Sequence, residues 1–250
     1  MHTCTETAEL GLYTRPAYRL LREDSAHPLI LVCEHASRYI PAALNDLGLD
    51  PEAAREHIAW DPGALELAEN LSQTLGATLL AANYSRLLID LNRPCQAHDS
   101  IPLQSEIYQI PGNQHLDEAT REYRRKQLFR PFHARLSGLI DARLAAGRLV
   151  RVVGIHSFTP LYYGQRRTLE MGVLFDRAEG YARRLLEGMS VHDVKIAGNE
   201  PYKIDALGDM TVPAHGDARG LDSVLIEVRN DLLRTPQAIQ CWTDYLAPLL

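Results

Sequence analysis

Two histidines stand directly after apolar runs that read as buried strands. His35 follows Leu29-Ile30-Leu31-Val32-Cys33, with Glu34 beside it, and His156 follows Leu149-Val150-Arg151-Val152-Val153-Gly154-Ile155, with Ser157 next. One such histidine more often serves only the fold, but two in the same setting, each with a carboxylate or hydroxyl neighbour, point to a metal site. Catalytic zinc takes three protein ligands from imidazole and carboxylate and leaves one position for water. The third ligand should be a carboxylate, because Cys4, Cys33, Cys95 and Cys241 are too dispersed for a thiolate cluster. Asp61 and Glu34 are the contenders. Successive side chains diverge in extended backbone, which disfavours Glu34 as a co-ligand of its neighbour, whereas Asp61, just before Pro62, could also be a plain helix cap.

Glu227 lies within Leu225-Ile226-Glu227-Val228. Apolar neighbours desolvate a carboxylate and raise its pKa, which suits it to general-base work; the competing role is a buried ion pair with Arg229 or another arginine. Arg86, Asn92 and Arg93 flank the apolar run Leu87 to Leu91. Planar guanidinium forks beside an amide suit a bidentate grip on a substrate carboxylate, although Asp90 could neutralise one of them. His215, in Pro213-Ala214-His215-Gly216, either steadies an oxyanion or is a surface loop residue. A serine hydrolase using Ser157 beside His156 is disfavoured, since adjacent residues do not easily pair as nucleophile and base and no Gly-x-Ser-x-Gly elbow occurs.

Positioning these residues requires a sheet. Apolar runs at 29–33, 78–82, 87–91, 149–155, 171–175, 191–197 and 224–228 read as strands. Segments 51–57, 62–75, about 117–146, 178–189 and 236–250 read as helices, with Gly76 as a stop, Asp117 as a cap and Pro131 forcing a kink or break. The cluster Arg121, Arg124, Arg125, Lys126 and Arg130 reads as a solvated helix face. Residues 95–116 and 198–222, rich in Pro and Gly, read as long loops and candidate lids. Alternation of buried strands with helices predicts a single α/β domain over residues 1–250, three-layered α/β/α, with a mainly parallel sheet whose strand C-termini gather the ligand.

Composition narrows the partners. With 26 Lys and Arg against 32 Asp and Glu, the net charge of −6 disfavours a nucleic-acid partner. Met1 to Arg15 holds Glu6 and Glu9 and no apolar core, so neither a signal peptide nor an anchor is expected there. No membrane span is expected either, and scattered cysteines fit a reducing, cytoplasmic setting.

Taken together, the segments Cys33-Glu34-His35-Ala36-Ser37, His57-Ile58-Ala59-Trp60-Asp61-Pro62-Gly63-Ala64, Tyr84-Ser85-Arg86 through Asn92-Arg93-Pro94, Ile155-His156-Ser157-Phe158-Thr159-Pro160, Asn199-Glu200-Pro201-Tyr202 and Ile226-Glu227-Val228-Arg229-Asn230-Asp231-Leu232 resemble the N-formylglutamate amidohydrolase family, in its branch of predicted amidohydrolases. The resemblance spans about residues 28–235. It implies a zinc-carboxypeptidase-like α/β/α fold and Zn2+-dependent hydrolysis of the amide bond of an N-acyl amino acid such as N-formyl-L-glutamate. It also implies His35 and His156 as ligands, Glu227 as the catalytic glutamate, and Asn92, Arg93 and Arg86 as a carboxylate clamp. Zinc peptidases of that fold carry their acidic ligand three residues after the first histidine, where this chain has Arg38, so Asp61 and Glu34 stay open. Members associated with formylglutamate carry Pro-His-Ser-Gly where this chain has Glu34-His35-Ala36-Ser37, which leaves the acyl group open. The alternatives are a zinc amidase for peptide or peptidoglycan, and a metal-free binder of acidic metabolites.

Overall fold

Seven strands form one sheet: β1 (Tyr18–Leu21), β2 (Leu29–Cys33), β3 (Thr78–Ala82), β4 (Arg151–Phe158), β5 (Met171–Leu174), β6 (Ile196–Gly198) and β7 (Asp222–Arg229). The computed structural model describes residues 9–190, 194–205 and 207–250. Across the sheet the order is β1-β3-β2-β4-β7-β5-β6. Strands β3, β2, β4 and β7 run parallel; β1 is antiparallel to β3, β5 is antiparallel to β7, and β6 is parallel to β5.

Helices α1 (Ala64–Leu75), α2 (Glu118–Arg124), α3 (Arg130–Ala145), α4 (Glu179–Met189) and α5 (Pro236–Leu246) complete the layers. On one face Leu67 and Leu71 of α1, Leu185 of α4 and Ile239 of α5 pack on Leu29, Leu31, Val153 and Ile226. On the other, Phe132, Leu136 and Ile140 of α3 pack on Ile30, Val32 and Val152. The expected α/β/α architecture with a mainly parallel sheet is therefore present. Among the described residues no helix is long and apolar enough to cross a membrane.

Local chemistry sets the helix ends. Gly63 opens α1 at φ 80°, and a Cβ there would lie 2.4 Å from Leu233 Cβ, so both the backbone and the packing demand glycine. Asp117 caps α2 by accepting from Thr120 N at 2.8 Å, and Thr235 caps α5 by accepting from Ala238 N at 3.1 Å.

Several expectations need correction. Residues 87–91 are not a strand: Leu87, Leu88, Ile89 and Leu91 are buried, but Ser85 turns the chain by accepting from Leu88 N through its carbonyl and from Leu87 N through its hydroxyl. Residues 51–57 yield one short turn, Ala53–Arg55. The helix expected over 117–146 is divided by a wide turn at Arg125–Phe129, just before Pro131 at the start of α3. β4 does not stop before His156 but continues through Phe158. The edge strand β1 was not expected at all. Of the strand expected at 191–197, residues 191–193 lie outside the described residues, as do Met1 to Ala8 with Cys4. Arg124 is no solvated residue: it is wholly buried, and it donates to Glu9 Oε2 at 2.9 Å, Leu88 O at 2.9 Å and Asn113 Oδ1 at 2.7 Å.

Candidate active site

Strand alternation decides which side chains meet. Val153, Ile155, Ile226 and Val228 face α1, α4 and α5, so His156 on β4 and Glu227 on β7 face the opposite side. The two are register partners and therefore stand side by side. Past the α3 contact, that face opens into a cavity of about 490 Å³ lined by His35, Asp61, His156 and Glu227.

His35 arrives from the end of β2, and its carbonyl accepts from Asp61 N at 2.9 Å, which pins the Asp61-Pro62-Gly63 turn against it. The imidazoles of His35 and His156 lie edge to face, centroids 4.8 Å apart. Both Nδ1 atoms turn to the same oxygen: His156 Nδ1 lies 2.9 Å and His35 Nδ1 3.4 Å from Asp61 Oδ2. Each Nε2 meets a different buried carboxylate, His35 on Asp90 Oδ1 at 2.7 Å and His156 on Glu34 Oε2 at 3.0 Å.

One donor from each of His35, Asp61 and His156 lies within 4.8 Å of the others, so the buried trio can hold a metal. The donor set fits zinc: each Nε2–H would donate to its carboxylate, leaving each Nδ1 lone pair facing the ion, which is the usual support for a ligating histidine. Glu34 thus sits behind His156 rather than beside Asp61. Arg38, at the spacing where carboxypeptidases carry an acidic ligand, instead lies over the Trp60 ring.

The electrostatics follow from burial and pairing. Burial opposes ionisation of Glu34, but His156 overrides it and holds the carboxyl at about 2. Burial also works against ionised Asp61 and Asp90; His35 and Arg86 respectively hold them below the usual carboxylate range. Burial and Arg86 push His35 down, yet Asp90 and Asp61 leave it raised; His156, likewise opposed by burial, is raised well above its ordinary value by Glu34 and Asp61. Glu227 behaves differently. Among the described residues its Oε2 is buried without a hydrogen-bond partner, and burial pushes its pKa up to about 7.

Arg86, Asn92 and Arg93 all line the cavity, and all three are engaged. Arg86 donates from Nη2 and Nε to Asp90 Oδ2 at 2.7 and 3.2 Å and from Nη1 to Asp61 Oδ1 at 3.4 Å. Asn92 Oδ1 accepts from Thr211 N at 3.1 Å, and its Nδ2 donates to Asp209 Oδ1 at 3.4 Å. Arg93 Nη1 donates to the same Asp209 Oδ1 and to Gly208 O. His215 is absent from the cavity wall; it is buried, stacked on His133 with its Nε2 2.9 Å from His133 Nδ1, and burial drives the pKa of both rings down. Ser157 donates its hydroxyl to Pro62 O at 2.8 Å.

Asp209 and the orienting contacts of Glu34 and Asp90 carry no sequence signal beyond a carboxylate near polar neighbours, because each depends on segments far apart in the chain. Both long loops contribute walls: Ser105 and Glu106 from one, Tyr202 to Asp205 with Gly208 and Asp209 from the other. Gly172 on β5 makes room for the second, since a Cβ there would lie 1.9 Å from Glu200 O. A hairpin pairing Gln104–Ser105 with Tyr108–Gln109 meets another pairing Leu161–Tyr162 with Gln165–Arg166. Glu106 joins them by accepting from Tyr163 N at 2.7 Å.

Known proteins place this geometry in context. No curated protein sequence matches the chain. A solved gene product of Agrobacterium tumefaciens is 41% identical, with a TM-score of 0.91 over 94% of this chain and 93% of that one. The N-formylglutamate amidohydrolase of Ralstonia eutropha JMP134, 22% identical, shares the fold with a TM-score of 0.68 over 94% of this chain and 96% of its own. The family model described as N-formylglutamate amidohydrolase matches residues 27–234, a stretch that contains both histidines, Asp61, the arginine segment and Glu227. This chain belongs to the N-formylglutamate amidohydrolase family.

Proposed function

We propose that the protein hydrolyses the amide bond of an N-acyl amino acid, using a zinc ion held by His35, Asp61 and His156. The observation that carries this reading is the convergence of both Nδ1 atoms on Asp61 Oδ2 beside the unpartnered Glu227 Oε2. A zinc ion there would polarise the acyl carbonyl and acidify a water. Glu227, poised near neutrality, takes the proton of the attacking water at its free oxygen and returns it to the leaving amine nitrogen. Arg93, with Asn92 and Arg86 beside it, receives the substrate α-carboxylate. Glu34 and Asp90 fix the two imidazole orientations. His215, away from the cavity wall, has no part in substrate contact.

The walls that described residues of the 95–116 and 198–222 segments contribute to the cavity favour a small substrate over peptidoglycan. A passive binder has no use for a carboxylate near neutrality at Glu227. Cys33, Cys95 and Cys241 are all free thiols, which suits a cytoplasmic setting. The test is release of amine and carboxylate from N-formyl amino acids by zinc-loaded protein. Glu227→Gln should keep its zinc and lose roughly 10²- to 10⁴-fold in kcat; full activity in that variant would end the proposal.

A further inference from the structure

Beside Glu227 lies a satellite apolar cluster, Leu174, Val212 and Leu225 with Ile204 packed on it, and Leu174, Leu225 and Ile204 line the cavity. Leu225 precedes Glu227 by two residues on the same face of β7 and pairs with Leu174 across the sheet. It also leans over Gly154: a Cβ there would lie 1.9 Å from Leu225 Cδ2 and 3.5 Å from His156 Cδ2. The cluster therefore lies close to His156 on one side.

On its other side it borders the arginine segment. Asn92 Oδ1 accepts from Thr211 N, one residue before Val212, and Ile204 belongs to the same wall as Asp209, which meets Arg93. A molecule with its α-carboxylate at Arg93 and its amide at the histidines would turn its Cα substituent toward Leu174, Leu225 and Ile204. Two of the cations on the cavity wall are already committed, Arg86 to Asp90 and Arg93 to the α-carboxylate. Arg93 is also held by Asp209; Lys203, exposed and in no ion pair among the described residues, shares the wall with Asp205 and Glu106. An acidic side chain would meet hydrocarbon and like charge, and burying an unpaired carboxylate is unfavourable.

We propose that this member of the family takes N-acyl amino acids with apolar side chains, seated against Leu174, Leu225 and Ile204, in preference to N-acyl glutamate. The inference rests on the amidase reading above and deepens it. Zinc-loaded protein should show a kcat/KM roughly tenfold or more higher for N-formyl-L-leucine than for N-formyl-L-glutamate. Ile204→Lys, on a segment outside the sheet, should move the ratio toward glutamate.

Binding of free L-leucine and L-glutamate, measured by calorimetry, reads the pocket without turnover. Leucine bound over glutamate with no hydrolysis of any N-acyl amino acid would sink the amidase reading and keep the pocket assignment. A preference for the glutamate compound, in turnover or in binding, would overturn the proposal, as would a glutamate preference abolished by Lys203→Ala. Neither binding nor turnover would overturn both.

Discussion

Asp209 places a carboxylate oxygen on Arg93 Nη1 and within 3.4 Å of Asn92 Nδ2, the two groups assigned to the substrate's own carboxylate. An incoming anion must share or displace it. Arg93 is partly solvated, so the pair is worth about 1 kcal/mol or less, and Asp209→Asn should lower KM for N-formyl amino acids up to roughly fivefold, with kcat little changed. Steady-state kinetics on the purified variant decide this; a rise in KM would mean that Asp209 aims Arg93 rather than competing for it. His35, His156 and Glu227 were readable because a polar side chain that follows or interrupts an apolar run is a local pattern. The contacts of Asp209 with Arg93, Glu34 with His156 and Asp90 with His35 were not readable, since each joins residues 55 or more apart in the chain, whereas the Arg86–Asp90 pair, four residues apart, was open to reading.

Among elements, the segment carrying Asp90, Asn92 and Arg93 has no regular structure of its own and depends on a brace. Arg124 at the end of α2 bonds Leu88 O and Asn113 Oδ1 while paired with buried Glu9. Arg124→Met leaves Glu9 without this partner and should cost about 3–5 kcal/mol; urea denaturation checks it, and a loss below about 1 kcal/mol would show the brace to be dispensable. Arg124 also marks what periodicity misses. A cluster of cations on a helix reads as solvated, yet Arg124 and Arg125 are buried and donate to Leu88 O and Cys95 O inside the protein. The run at 87–91 misled in the same way, because hydrophobicity reports burial and not backbone extension, whereas 29–33, 78–82 and 224–228 are both buried and extended and were read correctly.

At the scale of the whole molecule, the site concentrates the ionised carboxylates of Glu34, Asp61 and Asp90 under cover, with Arg86 as the permanent cation. In metal-free protein the balance comes from His35 and His156, both raised. A raised histidine stabilises the fold fully below its unfolded pKa of about 6.5 and ceases to do so as pH climbs through the folded value. Glu227, raised to about 7 by burial, has the same sign: its contribution is lost as pH rises from its unfolded value of about 4.3 to about 7. The depressed carboxylates act oppositely, stabilising above about 4 and failing as pH falls through their folded values, about 2 for Glu34. Metal-free protein should therefore lose Tm as pH rises above about 6.5, while zinc, which replaces those protons, binds more tightly as pH rises and restores it. Scanning calorimetry with and without chelator checks this; a flat metal-free profile would remove the imidazolium charges from the account.

The reversal of β5 reaches further than its place in the sheet suggests. Because it runs against β7, with Gly172 opposite Glu227, the chain leaves β4 and enters β5 on one rim and never crosses over. The stretch between Phe158 and Met171 is free of the length that a crossover imposes. Doubling such a span costs only about 0.6 kcal/mol in closure entropy, so descendants of this scaffold can lengthen or trim that flap, and with it the reach of molecules they admit, while every strand keeps its register.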